Sequence, residues 1–245
     1  MAQDAPMDER DPDSGPGAAA VAPTGTNALV VYSDPRCPWA HVAVHRLLTE
    51  VDRRGVGSEV TLDHRWFPLG DDAMPSDLDA LDRKLEPIRA LAPDAGWRSW
   101  AASDRSFPES SDLAAAWVQA AKRDSPDASA AFDRALRRAL FAEGRDIDDG
   151  SVLAEVAATV PDLDAQLVRN EVASGRPAGE LARHAELAES DLVPASPTIV
   201  LADGTTWTNP GIEFRMEDGV PVVEADDPEV YGEIVEAFLA QRHYD

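Results

Sequence analysis

Between residues 28 and 66 the hydrophobic period of the chain changes twice, and few folds accommodate that pattern. Ala28-Leu29-Val30-Val31-Tyr32 is a short apolar run rich in β-branched residues, the mark of a buried strand. It stops at Ser33-Asp34-Pro35-Arg36. A helix pattern begins near Pro38: Val44, Leu47, Leu48 and Val51 follow the i, i+3, i+4, i+7 spacing, and Gly55 supplies a C-terminal stop. Val60, Leu62, His64 and Trp66 then alternate with Thr61, Asp63 and Arg65, the period of two that a strand requires. Strand, helix and strand on short links predict a βαβ unit with parallel strands.

From about Leu78 to Ser190 helical periodicity dominates and strand signals vanish. Ala114, Trp117, Val118 and Ala121 make one apolar face, and Phe132, Leu136, Leu140 and Phe141 make another. Asp149 and Ser151 are N-cap candidates ahead of Val152, Leu153, Val156 and Ala157. Strand character returns at Thr198-Ile199-Val200-Leu201, turns at Asp203-Gly204 and runs back through Thr205-Thr206-Trp207-Thr208. A second hairpin turn is marked at Glu217-Asp218-Gly219. Asp227-Pro228 then opens a closing helix whose stripe is Val230, Ile234 and Phe238. The expected class is α/β: a βαβ…ββα sheet domain over residues 28–75 and 191–245, interrupted by an all-helical insertion over 76–190.

Charge and cysteine usage limit the function. With 46 acidic and 22 basic residues the formal net charge is -24. Such a surface repels nucleic-acid phosphates and anionic lipid, so partners of those classes are not expected. Only Lys84 and Lys122 are lysines. Acid excess with scarce lysine suits a protein working at high salt, and equally an acidic cytosolic protein with coding bias. No run of about 18 apolar residues exists, so no membrane span is expected. Residues 1–27 are acidic and rich in Ala, Pro and Gly, without the basic start and apolar stretch of a secretory signal. They read as a disordered tail, and the chain as cytoplasmic.

There is one cysteine, Cys37, so neither an internal disulfide nor a zinc site of several thiolates can form. Cys37 stands where a strand ends and a helix begins. Unpaired backbone N–H groups and the helix dipole there favour an anion, which predicts an exposed, thiolate-rich sulfur. Arg36 would add to that effect and Asp34 would oppose it. His41, one turn on, is a candidate to stabilise the thiolate or to serve as a general acid. Cys37, His41 and His45 share a helix face, but the outer two are about 12 Å apart along the axis, too far to wrap one ion. No metal site is therefore expected.

Four stretches resemble the DsbA family of thiol-disulfide oxidoreductases, in particular its FrnE-like cytosolic branch. These are Ser33-Asp34-Pro35-Arg36-Cys37-Pro38-Trp39-Ala40, the helical block from Ala131 through Gly144 to Asp148, the loop Val193-Pro194-Ala195-Ser196-Pro197-Thr198-Ile199-Val200, and the closing hairpin and helix. The resemblance implies a thioredoxin-like fold, with Cys37 as nucleophile and Pro197 as a cis proline facing it. It also implies a substrate groove formed by Pro38, Trp39, Ser196 and Pro197, with Trp39 on an exposed rim and the Ser196 backbone pairing with the bound substrate. Arg36 and His41 are the auxiliary candidates.

The departure from the family is Ala40, which stands where Cys-x-x-Cys places its second cysteine. The two-cysteine cycle is thus unavailable to one chain. What remains is monothiol exchange with a small thiol or a protein disulfide, with no bound cofactor and a low-molecular-weight thiol as co-substrate. The alternatives are a redox-silent thioredoxin-fold binding protein and a kappa-type thiol transferase or isomerase. The sequence carries no signal for oligomeric state.

Overall fold

The computed structural model describes residues 28–70, 73–101, 103 and 106–242. The tail expected at 1–27 lies outside the described residues. Strand β1 (Ala28–Ser33) leads into helix α1 (Pro38–Arg54) and returns through β2 (Thr61–Trp66). β1 and β2 are parallel and in register from Ala28 opposite Thr61 to Ser33 opposite Trp66. α1 starts at Pro38 because a first-turn proline loses no helical hydrogen bond and its φ is preset. It ends at Gly55, whose φ of 70° lets its N–H reach back to the carbonyls of Asp52 and Val51.

Strand β3 (Thr198–Val200) joins the other edge of β1, and β4 (Thr206–Thr208) follows it, both antiparallel. The sheet order is β2-β1-β3-β4, which leaves β1 between neighbours on both sides. That explains its unbroken apolar run. On one face Leu29 and Val31 pack with Val44 and Leu47 of α1 and with Ile234 and Phe238 of the closing helix α8 (Val230–Arg242). On the other face Val30, Tyr32 and Val200 meet Leu187 and Val193.

Within the span 76–190 lie α2 (Leu78–Arg89), a 3-10 turn at Pro93–Ala95, α3 (Asp112–Ala121), α4 (Pro126–Phe141), α5 (Gly150–Ala157), α6 (Ala165–Ala173) and α7 (Ala178–Ala188). Carboxylates or hydroxyls cap four of these helices: Asp77, Ser125, Asp149 and Asp164 each accept a first-turn N–H. Phe132, Leu136 and Leu140 are wholly buried with Trp117 and Leu153 in a second apolar core. Each such side chain contributes about 1.5–3 kcal/mol, enough for the insertion to carry a core of its own.

The second hairpin departs from a single closing sheet. Among the described residues, strands β5 (Ile212–Glu217) and β6 (Val220–Asp226) pair only with each other. Asp218 and Gly219 both take positive φ, the geometry of a tight hairpin turn. At the hairpin base Gly211 has φ 70°, and its carbonyl accepts the Asp227 N–H at 2.7 Å. This close approach turns the chain off the main sheet. Ile212 and Phe214 then bury against Val42, Ile88 and Trp39 instead of extending the β4 edge.

Candidate active site

The β1–α1 turn presents the cysteine. Cys37 is the N-cap of α1, with extended backbone (φ -72°, ψ 116°), and its N–H closes the turn by donating to the Asp34 carbonyl at 3.0 Å. The Ser196–Pro197 peptide is cis. The Ser196 carbonyl accepts the Cys37 Sγ–H at 3.2 Å, and the Ser196 Oγ accepts the Asp34 N–H at 3.0 Å. The structure thus brings together Cys37, Pro38, Ser196 and Pro197, all of them buried.

Two expectations about the sulfur are corrected. Cys37 is 2 % exposed, not open to solvent. Its thiol is also pushed up from its ordinary value, not down. Burial is the main cause, because desolvation disfavours the thiolate, and the neighbouring Asp34 charge adds to it. Hydrogen bonding to Ser196, the Ala40 backbone and the Arg137 charge act in the opposite direction and are outweighed. A helix N-terminus ionises a thiol when the sulfur stays partly exposed, and here it is buried.

Arg36 is structural, while Asp34 both organises the turn and, as expected, opposes the thiolate. The fully buried Asp34 carboxylate accepts the Arg36 N–H (2.6 Å), the Leu69 N–H (3.0 Å) and the Ser111 hydroxyl (2.8 Å). Its Oδ1 lies 3.5 Å from Arg36 Nε. The Arg36 guanidinium donates to the carbonyls of Pro108, Glu109 and Leu69, tying the turn to two loops beside it. The expected contribution of Arg36 to the thiolate is therefore replaced by a clamp.

His41 and Trp39 also differ from their expected roles. His41 is buried, stacked on Phe141 at 4.5 Å and edge-on to Trp97 at 4.7 Å, with Nε2 3.1 Å from the Ala95 carbonyl. Burial first, and the Arg137 charge second, push it down to about 3. A histidine that is neutral near neutral pH supplies no positive charge and no proton for release of a mixed disulfide. Trp39 is half-buried and stacked on Phe214 at 4.2 Å, so the second hairpin occupies one ring face expected to be free. His45 points to Asp94, 3.2 Å away. Among the described residues no group of three or more His, Cys, Asp or Glu side chains is arranged to hold a metal.

The cation beside the sulfur comes from the insertion. Arg137 on α4 is 1 % exposed. It donates from Nη1 to the Asp34 carbonyl at 3.2 Å and from Nη2 to the Ser33 hydroxyl at 2.7 Å. Asp133, one helical turn earlier, accepts its Nε at 2.7 Å and its Nη2 at 3.2 Å. Behind Asp133 stands His64 on β2, with Nδ1 3.4 Å from Oδ2. Burial pushes His64 down to about 4, so this contact is not an ion pair near neutral pH. The only signal for this group in the sequence was an Asp and an Arg spaced i, i+4 on the buried side of a helix, which is ordinary helix patterning.

A cleft of about 670 Å³ runs between α1 and the helices α4 and α5, past His45, Leu48, Arg134, Arg138, Val156 and Val160. Cys37 does not line it, but His41 and Arg137 do.

The fold and site can be set beside known proteins. The family model described as a DSBA-like thioredoxin domain matches residues 28–217. No curated protein matches the chain. Among solved structures, the cytosolic disulfide reductase DsbM from Pseudomonas aeruginosa is 21 % identical with a TM-score of 0.59, covering 87 % of this chain and 99 % of that one. The same protein solved with GSH is 20 % identical with a TM-score of 0.61, over the same shares. A protein from Streptomyces coelicolor described as a probable DsbA oxidoreductase is 21 % identical with a TM-score of 0.58, covering 87 % of this chain and 90 % of that one. At these identities the solved structures speak for the fold, a thioredoxin-like sheet with a helical insertion. The family match, which runs from β1 through β5 and includes the Cys37 turn and the cis proline loop, establishes that this chain belongs to the DSBA-like thioredoxin domain family.

Proposed function

We propose that the chain is a cytoplasmic thiol-disulfide oxidoreductase that works through one sulfur, Cys37, exchanging disulfides with a small cellular thiol or a protein partner. The observation that carries this reading is the meeting of the only cysteine, at the start of α1, with the Ser196 carbonyl beside the cis Ser196–Pro197 peptide. Similar structures include a cytosolic disulfide reductase and the same protein with GSH, which supports a thiol substrate and a cytosolic setting. Among the described residues no helix is long and apolar enough to cross a membrane.

The exchange balances with one protein thiol. The Cys37 thiolate attacks one sulfur of a disulfide, forming a mixed disulfide and releasing the other sulfur as thiolate. A second small thiolate then attacks the mixed disulfide, takes the bound sulfur as a new disulfide and returns Cys37 to its thiolate form. Ala40 removes the internal resolving step, so the small thiol both supplies the electrons that restore Cys37 and carries away the bound sulfur. Pro38, Trp39, Ser196 and Pro197 form the groove. In the resting state the Ser196 carbonyl holds the neutral thiol, so substrate must displace that bond and uncover the sulfur before attack.

A second reading is a redox-silent thioredoxin fold that binds a partner through this groove. The burial and raised pKa of Cys37 favour it. The two separate in one assay: reduction of a small mixed disulfide by excess thiol, with wild type against Cys37→Ser. Saturable turnover abolished by the substitution supports exchange. Equal background rates for both proteins support the silent fold.

A further inference from the structure

We propose that Arg137 is the positioning residue of the Cys37 turn: from α4 it pins the backbone that presents the sulfur and sets a fixed positive charge beside it. This deepens the reading of Cys37 as the exchanging sulfur and rests on it. One carbonyl joins the two residues, because Asp34 O accepts both the Cys37 N–H (3.0 Å) and Arg137 Nη1 (3.2 Å). The Ser33 hydroxyl, on the last residue of β1, takes Nη2. The guanidinium therefore grips both residues from which the turn departs.

A buried ion pair is an expensive way to hold packing, since apolar residues of similar volume often do it as well or better. Here the pair has a direction. Asp133 takes Nε and shares Nη2 with the Ser33 hydroxyl, while Nη1 goes to the turn through the Asp34 carbonyl. Deletion of the negative partner and deletion of the positive one should therefore act on the sulfur with opposite signs, which a purely steric prop would not do. The charged and titratable groups facing this cluster are Asp34 and Arg36 in the turn, His41 on α1, His64 on β2, Lys122 just past the end of α3 and Asp133 on α4. His41 and His64 are neutral near neutral pH, so Asp34 and Asp133 are the acidic groups that oppose Arg137 there, while the Lys122 cation acts in the same direction as Arg137.

The test is the pH dependence of Cys37 alkylation by iodoacetamide in the full-length, folded protein. Arg137→Gln keeps a donor for the turn and loses the charge. Its alkylation midpoint should move up, slowing the reaction about threefold or more at a pH below the midpoint, the factor for half a pH unit. Asp133→Asn leaves the charge and removes its partner, so its midpoint should move down. Arg137→Lys should stay close to wild type. If Arg137→Gln does not fold, the comparison is Asp133→Asn against the double substitution Asp133→Asn with Arg137→Gln, whose midpoint should be the higher. Midpoints that stay put in folded variants, or move the same way for Arg137→Gln and Asp133→Asn, overturn the proposal. Alkylation needs no turnover, so a wild type that fails to exchange disulfides contradicts the functional reading while leaving the Arg137 test intact.

Discussion

Acid should unfold this protein well before its carboxylates titrate, and the cause is three histidines. His41, His64 and His184 are each at most 5 % exposed. Burial pushes them down to about 3, about 4 and about 3 respectively. In the unfolded chain they titrate near 6.5. The folded histidines are neutral while the unfolded ones take up protons, so their contribution is fully present above 6.5 and is lost as pH falls toward the folded values. Each loses about 2 kcal/mol between about pH 7 and pH 5, and three lose roughly 5–6 kcal/mol. That is comparable with the whole stability of a typical domain, about 5–15 kcal/mol. Relief of repulsion within a chain of net charge -24 acts the other way, but it begins only as ordinary carboxylates protonate, near 4. The assay is urea unfolding at a series of pH values at fixed salt. His64→Gln should flatten the dependence by roughly a third, with a small departure from additivity because His64 shares Arg137 with His41 and Lys122 with His184. A stability that changes by less than about 1 kcal/mol over that range would show that these histidines are not held neutral, and would refute the reasoning.

Two further predictions concern the frame of the site. Gly55 and Gly211 both have φ 70°, but a Cβ at Gly55 meets nothing within 4 Å whereas one at Gly211 falls 2.0 Å from the Asp227 carbonyl oxygen. Gly55→Ala should cost only the left-handed penalty of about 1–2 kcal/mol. Gly211→Ala should cost more and open the β5–β6 hairpin to limited proteolysis; equal melting temperatures for the two variants would contradict this. Asp34→Ala strands the Arg36 N–H, the Leu69 N–H and the Ser111 hydroxyl. It should cost about 3–5 kcal/mol in chemical unfolding and speed Cys37 alkylation as the turn loosens, and an unchanged alkylation rate would contradict the role given to that clamp.

What could be read from the sequence was local. The apolar run at 28–32, the α1 stripe ending at Gly55 and the alternation through Trp66 each follow from a period that the chain itself carries, and the parallel β1–β2 pair follows from them. The family resemblance supplied the cis proline loop. What could not be read depends on residues far apart in the chain. Arg137 meets Ser33 and Asp34 across 104 and 103 positions, and neither pattern nor propensity encodes that contact. His41 looks like a solvated helix residue until Phe141 and Trp97 arrive from the insertion. The same layers bury Cys37. A helix N-terminus predicts a stable thiolate only if water or enough cationic charge reaches the sulfur, and the sequence reveals neither.

The most direct measurement on Cys37 is intact-protein mass after incubation with oxidised glutathione at neutral pH, followed by an excess of reduced glutathione. The mechanism predicts one added glutathione on wild type, none on Cys37→Ser, complete removal by the second thiol, and faster adduct formation where mild urea loosens the site. No adduct on the native protein, with prompt adduct formation only after global unfolding, would contradict it and leave a thioredoxin fold whose cysteine is part of the core.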